Sequence, residues 1–166
     1  MRLIDLIENE TQYKIYCDMD GVLCDFEKQF EKYFNMPPDQ FEKKHGRSEF
    51  WKGIDQAGVK YWAGMDWMPE GRKLWSYIEK YNPILLTAPS FDDSSKIGKA
   101  VWRKKHIPGA PMKFKAAKNK ADFAAPDAIL IDDREDTIAD WNSRGGIGIL
   151  FKSTDQVIKQ LKELGL

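Results

Sequence analysis

The sequence predicts an α/β fold: a Rossmann-like parallel sheet with helices on both faces and a small helical cap inserted after the first strand. Three observations carry this expectation. Short, continuous apolar runs at residues 13–17, 83–87, 128–131 and 147–151 have the character of strands buried on both faces. Segments of helical period lie between them, the alternation expected of a parallel sheet covered on both sides. Residues 26–67 hold ten aromatics and no β-run, so this stretch reads as a helical insert. The 166 residues suit one domain with a substantial core. The expected division is an N-terminal segment at 1–12, a core domain from 13–25 and 68–166, and the cap at 26–67.

Taken in order, residues 1–12 offer Leu3, Ile4, Leu6 and Ile7 as the apolar side of a short amphipathic segment. The first strand, Tyr13-Lys14-Ile15-Tyr16-Cys17, empties into Asp18-Met19-Asp20-Gly21-Val22, where glycine permits a sharp turn. Asp25 can cap a helix whose Phe26, Phe30, Tyr33 and Phe34 fall on one face, and Pro37-Pro38 is expected to end it. Phe41, Phe50, Trp51, Tyr61, Trp62 and Trp67 supply the rest of a small aromatic core, with one or two rings free to stack on a planar ligand.

The main body resumes at Pro69-Glu70-Gly71 with a helix through Leu74, Trp75, Ile78 and Tyr81 that stops near Asn82-Pro83. The second strand, Ile84-Leu85-Leu86-Thr87, ends in a hydroxyl. Ser94 or Asp93 is expected to cap the next helix, which runs through His106 until Pro108-Gly109-Ala110-Pro111 breaks it. A short strand at 112–115 and a helical turn at 116–123 precede Ala128-Ile129-Leu130-Ile131, which runs into Asp132-Asp133-Arg134. A helix through Ile138 and Trp141 ends at Gly145-Gly146, a last strand follows, and Ser153-Thr154-Asp155-Gln156 has the capping-box pattern of the final helix.

Composition narrows the function. Lys plus Arg and Asp plus Glu both total 26, so the net charge is zero and there is no bulk signature of a polyanion-binding protein. No stable nucleic-acid partner is expected. The charge is unevenly placed, however. No acid occurs between Asp93 and Asp122, while Lys96, Lys99, Arg103, Lys104, Lys105, Lys113, Lys115, Lys118 and Lys120 crowd the interval. That run reads either as a solvated face or as an electropositive rim for a phosphorylated substrate. Two cysteines, Cys17 and Cys24, are too few for a disulfide framework and read as reduced packing residues. The N-terminus lacks the apolar run of a signal peptide, and no stretch reaches the roughly 20 apolar residues of a membrane span. A cytoplasmic protein without a membrane partner is expected.

In an open parallel sheet, ligands bind outside the carboxyl ends of the strands. Those ends carry Asp18 and Asp20, then Thr87, then Asp132 and Asp133, with Lys118 and Lys120 shortly before the last pair. Residues i and i+2 of an extended chain point the same way, so Asp18 and Asp20 can share one site. Like charges so placed repel unless a cation or a shared proton compensates them. Hard carboxylate oxygens suit Mg²⁺, which binds through one or two carboxylates together with a substrate phosphate. One aspartate could attack phosphorus while the other moves the leaving group's proton. Thr87 and the Ala88 backbone N–H could hold phosphoryl oxygens, and a lysine could balance the charge.

Together, Asp18-Met19-Asp20-Gly21-Val22, Leu85-Leu86-Thr87, the lysine near 120 and Leu130-Ile131-Asp132-Asp133-Arg134 resemble the four motifs of the haloacid dehalogenase superfamily. The short cap, the Asp-Asp-Arg ending and Gly145-Gly146-Ile147-Gly148 most resemble its 5'(3')-deoxyribonucleotidases, including phage-type members. The resemblance implies Asp18 as nucleophile and Asp20 as general acid and base. It also implies Mg²⁺ held by Asp18, the Asp20 carbonyl and the Asp132/Asp133 pair, with Asp133 direct and Asp132 in support. Thr87 and Lys120 are implied as phosphate ligands, with Lys118 an alternative lysine, and Phe26 as a contact to the base. Ala88 stands where many relatives carry serine, so its contact is implied to be backbone only. The substrate so implied is a nucleoside monophosphate, and a homodimer is compatible because related nucleotidases are often dimeric.

The alternatives are a phosphatase for a sugar phosphate or a nucleic-acid end, and a non-catalytic phosphate-binding module. A receiver domain would carry its acidic pair on the first strand and its acceptor later, the reverse of the order here, and would not need Asp20.

Overall fold

The computed structural model describes residues 12–166, so all but the last residue of the expected N-terminal segment lies outside the described residues. Five strands form one parallel sheet: β1 (Lys14–Cys17), β2 (Ile84–Thr87), β3 (Met112–Phe114), β4 (Ala128–Asp132) and β5 (Ile147–Leu150), in the order β3-β2-β1-β4-β5. The first strand is therefore central, with β2 and β4 on either side. Each apolar run is buried because alternate residues face opposite layers. Ile15, Cys17, Leu85, Ile129 and Ile131 join one core cluster, while Tyr16, Leu86 and Leu130 join another on the opposite face.

Helices cover both faces. The larger layer receives Leu74 and Ile78 from α5 (Gly71–Ile78), Trp102 from α6 (Asp93–His106), and Val157 and Leu161 from α8 (Thr154–Glu163). The opposite layer is built by Ile138 and Trp141 of α7 (Glu135–Ser143) and by a 3₁₀ segment at Ala117–Phe123. The capping box opening α8 is formed: Ser153 accepts from the Gln156 amide, and the Gln156 side chain reaches back to the Ser153 backbone.

Between β1 and α5 the chain makes α1 (Phe26–Phe34), α2 (Pro38–His45), α3 (Arg47–Ala57) and α4 (Val59–Ala63). Asp25 caps α1 by accepting from the Lys28 amide. The expected stop at Pro37-Pro38 is corrected. Asn35 ends α1 in the left-handed region at φ 54°, and Pro38 instead opens α2, where its missing N–H costs nothing. Rings fill the space between the helices, with Phe30 and Phe50 stacked at 4.8 Å and Phe30 edge-on to Phe41 at 5.4 Å. The two ends of this insert are tied to each other: the Asp25 amide donates to the Asp66 carbonyl at 2.9 Å and the Met68 amide to the Leu23 carbonyl at 2.8 Å.

One cap expectation is also corrected. Asp92, rather than Asp93 or Ser94, caps α6, because it is the residue left extended (φ −79°, ψ 136°) with its carboxylate turned back to the Ser94 amide at 2.8 Å.

Candidate active site

The register of the sheet creates the site. β1 and β4 pair with Cys17 opposite Ile131, and the Asp18 amide donates to the Ile131 carbonyl at 2.9 Å, so Asp18 and Asp132 emerge side by side at the carboxyl edge. Beyond Asp18 the chain wraps tightly: the Met19 carbonyl accepts from the amides of Val22, Leu23 and Cys24. Gly21 makes this wrap possible at φ +80°, and it also yields space. A Cβ there would fall 2.1 Å from Asp133 Oδ2, so the absence of a side chain lets the Asp133 carboxylate close over the loop.

Three carboxylates thus converge, with oxygens of Asp18, Asp132 and Asp133 all within 4.8 Å of one another. Asp132 is wholly buried and has both oxygens occupied, Oδ2 accepting from Lys120 Nζ at 2.7 Å and Oδ1 from the Arg134 amide at 3.0 Å. Asp133 is exposed to solvent at the same edge. The three crowded anions act on one another. Lost hydration first, and then the Asp18 charge, raise the carboxyls of both Asp132 and Asp133 above the ordinary range. An all-oxygen set of this kind, with one acid open to solvent, fits a hard divalent cation.

Lys120 answers part of that charge. Its ammonium lies 3.0 Å from Asp18 Oδ1 as well as 2.7 Å from Asp132. Burial works against the charged amine, but the two carboxylates more than offset it and hold the lysine above its ordinary value. Lys118 is exposed and lines a groove of about 300 Å³ with Arg134, Asp136 and Asp140, which contains none of the four site carboxylates.

Asp20 is built differently. Burial raises its carboxyl, only partly countered by a lysine, and its Oδ1 is buried without a hydrogen-bond partner among the described residues. The lysine is Lys99, which the sequence placed only within a basic run. Its Nζ donates to Asp20 Oδ2 at 2.8 Å, Thr87 Oγ1 at 2.9 Å and the Ala88 carbonyl at 2.8 Å. Neither reading of the run anticipates this residue. Lys96, Lys104, Lys105, Lys113 and Lys118 are exposed, whereas Lys99 and Lys120 turn inward onto site aspartates. One available signal was its position on α6, where Ser95, Gly98, Lys99 and Trp102 make the buried i, i+3, i+4, i+7 stripe.

At the end of β2, Thr87 is wholly buried and its Oγ1 accepts from Lys99, as does the carbonyl of Ala88, the residue expected to offer its N–H to phosphate. Phe26 is half-buried, its ring 5.8 Å from that of Tyr61 and 5.9 Å from that of Trp62. Cys17 and Cys24 are buried free thiols whose ionisation burial opposes.

The sequence matches no family model and no curated protein. Solved structures do resemble the chain. A predicted phosphatase from Clostridium acetobutylicum superposes with a TM-score of 0.54 at 16% identity, over 91% of this chain and 99% of that one. A haloacid dehalogenase family hydrolase from Deinococcus radiodurans, with bound phosphate and sodium, gives 0.55 at 10% identity over 92% and 96%. A haloacid dehalogenase family enzyme from Bacteroides thetaiotaomicron, in complex with magnesium, gives 0.51 at 18% identity over 84% and 93%. The chain therefore shares its fold, a parallel five-stranded sheet covered by helices, with these structures. Among the described residues, no helix is long and apolar enough to cross a membrane.

Proposed function

We propose that this protein is a Mg²⁺-dependent phosphomonoesterase that works through an aspartyl-phosphate on Asp18 and acts on nucleoside monophosphates. The observation that carries the reading is the pairing of unlike aspartates on one loop. Asp18 is ion-paired to Lys120 and flanked by Asp132 and Asp133, whereas Asp20, ion-paired to Lys99 through Oδ2, keeps a buried Oδ1 unpartnered among the described residues and has its carboxyl raised by burial. A charged nucleophile and a carboxyl held for proton transfer call for such different surroundings.

A carboxylate oxygen of Asp18 attacks phosphorus as the bond to the leaving oxygen breaks, and Asp20 gives its proton to that oxygen. Asp20, now ionised, takes a proton from water. The resulting hydroxide attacks phosphorus and breaks the bond to Asp18, releasing inorganic phosphate. Lys120 offsets charge on Asp18 and the transferring group throughout, and the Ala88 amide is the backbone donor to a phosphoryl oxygen. Asp18, the Asp20 carbonyl and Asp133 would hold Mg²⁺, with Asp132 fixed behind them by Lys120 and Arg134. When bound, the metal supplies positive charge that lets an anionic nucleophile approach an anionic phosphate.

The aromatic insert supports a nucleoside as leaving group. Phe26 opens α1 directly after the catalytic loop and is half-buried, with the rings of Tyr61 and Trp62 packed against it. A base offers a planar face to match. The test is phosphate release from deoxynucleoside, ribonucleoside and sugar monophosphates with and without Mg²⁺. Release from nucleotides that requires metal and falls below about 10⁻³ of wild type in Asp18→Asn is expected. Release confined to sugar phosphates would discard the nucleotide assignment while keeping the chemistry.

A further inference from the structure

The chemistry above gives Lys99 no task, yet its placement is costly and specific. A wholly buried ammonium is tolerated only where its protons are all engaged and its charge is paired. Lys99 Nζ meets that demand with three acceptors from three places: Asp20 Oδ2 on the loop after β1, Thr87 Oγ1 at the end of β2, and the Ala88 carbonyl just beyond. The face of the Trp62 indole covers it, 4.9 Å from ring centroid to nitrogen.

The neighbouring residue explains how that ring arrives. A Cβ on Gly98 would lie 2.5 Å from Trp62 Cβ and 2.8 Å from the Val59 carbonyl, so glycine lets α4 of the insert settle directly on α6. The insert and the core thus meet at the lysine that grips Asp20.

The consequence lies in which atoms are used. Lys99 anchors one oxygen of Asp20 and leaves Oδ1 without a partner. A carboxyl free to spin about its last bond samples many orientations, whereas one fixed at Oδ2 keeps a single one. Because Thr87 and Ala88 fix the ammonium independently of Asp20, the anchor belongs to the sheet edge and does not move with the loop. We infer, building on the phosphatase reading, that Lys99 is a positioning residue: seated under Trp62, it holds the Asp20 carboxyl in the one orientation from which it serves the leaving oxygen.

The deciding experiment compares kcat/KM, which reports formation of the aspartyl-phosphate, for a nucleoside monophosphate and for p-nitrophenyl phosphate, whose leaving group needs no proton. Wild type, Lys99→Met, Asp20→Asn and the double variant are measured with Mg²⁺ present. The expected result is a loss on the order of 10²-fold for Lys99→Met with the nucleotide and a much smaller loss with the aryl ester. The double variant should be no worse than Asp20→Asn alone, as expected for residues acting as one unit. Equal losses on both esters, or losses that multiply in the double variant, would overturn the role of Lys99 while leaving the phosphatase reading in place. An Asp20→Asn protein as active as wild type on the nucleotide would overturn the acid assignment and the role of Lys99 with it. A second readout needs neither a folded variant nor turnover. In wild-type protein labelled with ¹⁵N-lysine, the Lys99 ammonium protons should be protected from exchange with water, and a Lys99 signal averaged with solvent overturns the proposal.

Discussion

Gly21 shows how much one residue can carry. Its φ of +80° disfavours any side chain, and the Asp133 carboxylate occupies the place where a Cβ would stand. Gly21→Ala is expected to cost about 1–3 kcal/mol in chemical denaturation and to displace Asp133. Mg²⁺ affinity measured by calorimetry should weaken with it, and an unchanged affinity would mean that Asp133 is not a ligand. The two neighbouring acids should separate in the same way. Asp133→Asn is expected to abolish the thermal shift caused by Mg²⁺. Asp132→Asn should keep a reduced shift, since Asp132 already spends both oxygens on Lys120 and Arg134.

At the scale of elements, the helices divide by what they do. α8 is a structural helix with a complete capping box, and its buried face of Val157 and Leu161 packs on the sheet. Ser153→Ala should cost about 1 kcal/mol of stability and leave turnover unchanged, so a lost turnover would tie α8 to the site. α1 and α4 pack the insert and carry the substrate contact proposed above. Gln29 of α1 donates to the Tyr61 carbonyl at 2.7 Å, which sets the two helices around Phe26 and Trp62. Phe26→Ala is expected to lower turnover of nucleotides and to spare a small aryl phosphate. Equal losses on both would show that Phe26 only packs.

For the whole molecule, the aspartates at the sheet edge make stability depend on pH and metal together. Asp20, Asp132 and Asp133 are all raised above the ordinary carboxylate range in the folded protein, Asp133 to about 7. The folded state therefore holds more protons than the unfolded chain between about pH 4 and pH 7. Stability from these groups is present at the acid end of that window and is lost as pH rises through it. Without divalent ions, the melting temperature should fall across this range. Added Mg²⁺, which favours the ionised acids, should raise it more at the upper end than at the lower; a shift independent of pH would show that these carboxylates do not bind the metal. Saturation at 100 times Kd is worth about 2.7 kcal/mol, well within reach of a melting experiment.

What the sequence determined by itself follows from short-range rules. Short apolar runs set between helical segments and turn signals read as strands of a parallel sheet. The i, i+2 aspartates before Gly21 and the acids after Ile131 stand at strand ends, so the sheet and its carboxyl edge could be read directly. Capping was legible where the side chain and its target lie three residues apart, as at Asp25 and Ser153. Tertiary structure decided what depends on contacts between distant segments. Lys99 and Asp20 are separated by 79 positions and meet at 2.8 Å only because the fold brings Lys99 of α6 to the carboxyl ends of β1 and β2. Within one basic run, the motif resemblance pointed to Lys120 or Lys118, and the fold turned Lys120 and the unanticipated Lys99 onto the aspartates and left Lys118 in solvent. A lysine's charge is the same in either place, and what distinguishes them is whether folding surrounds the ammonium with acceptors that repay its lost water.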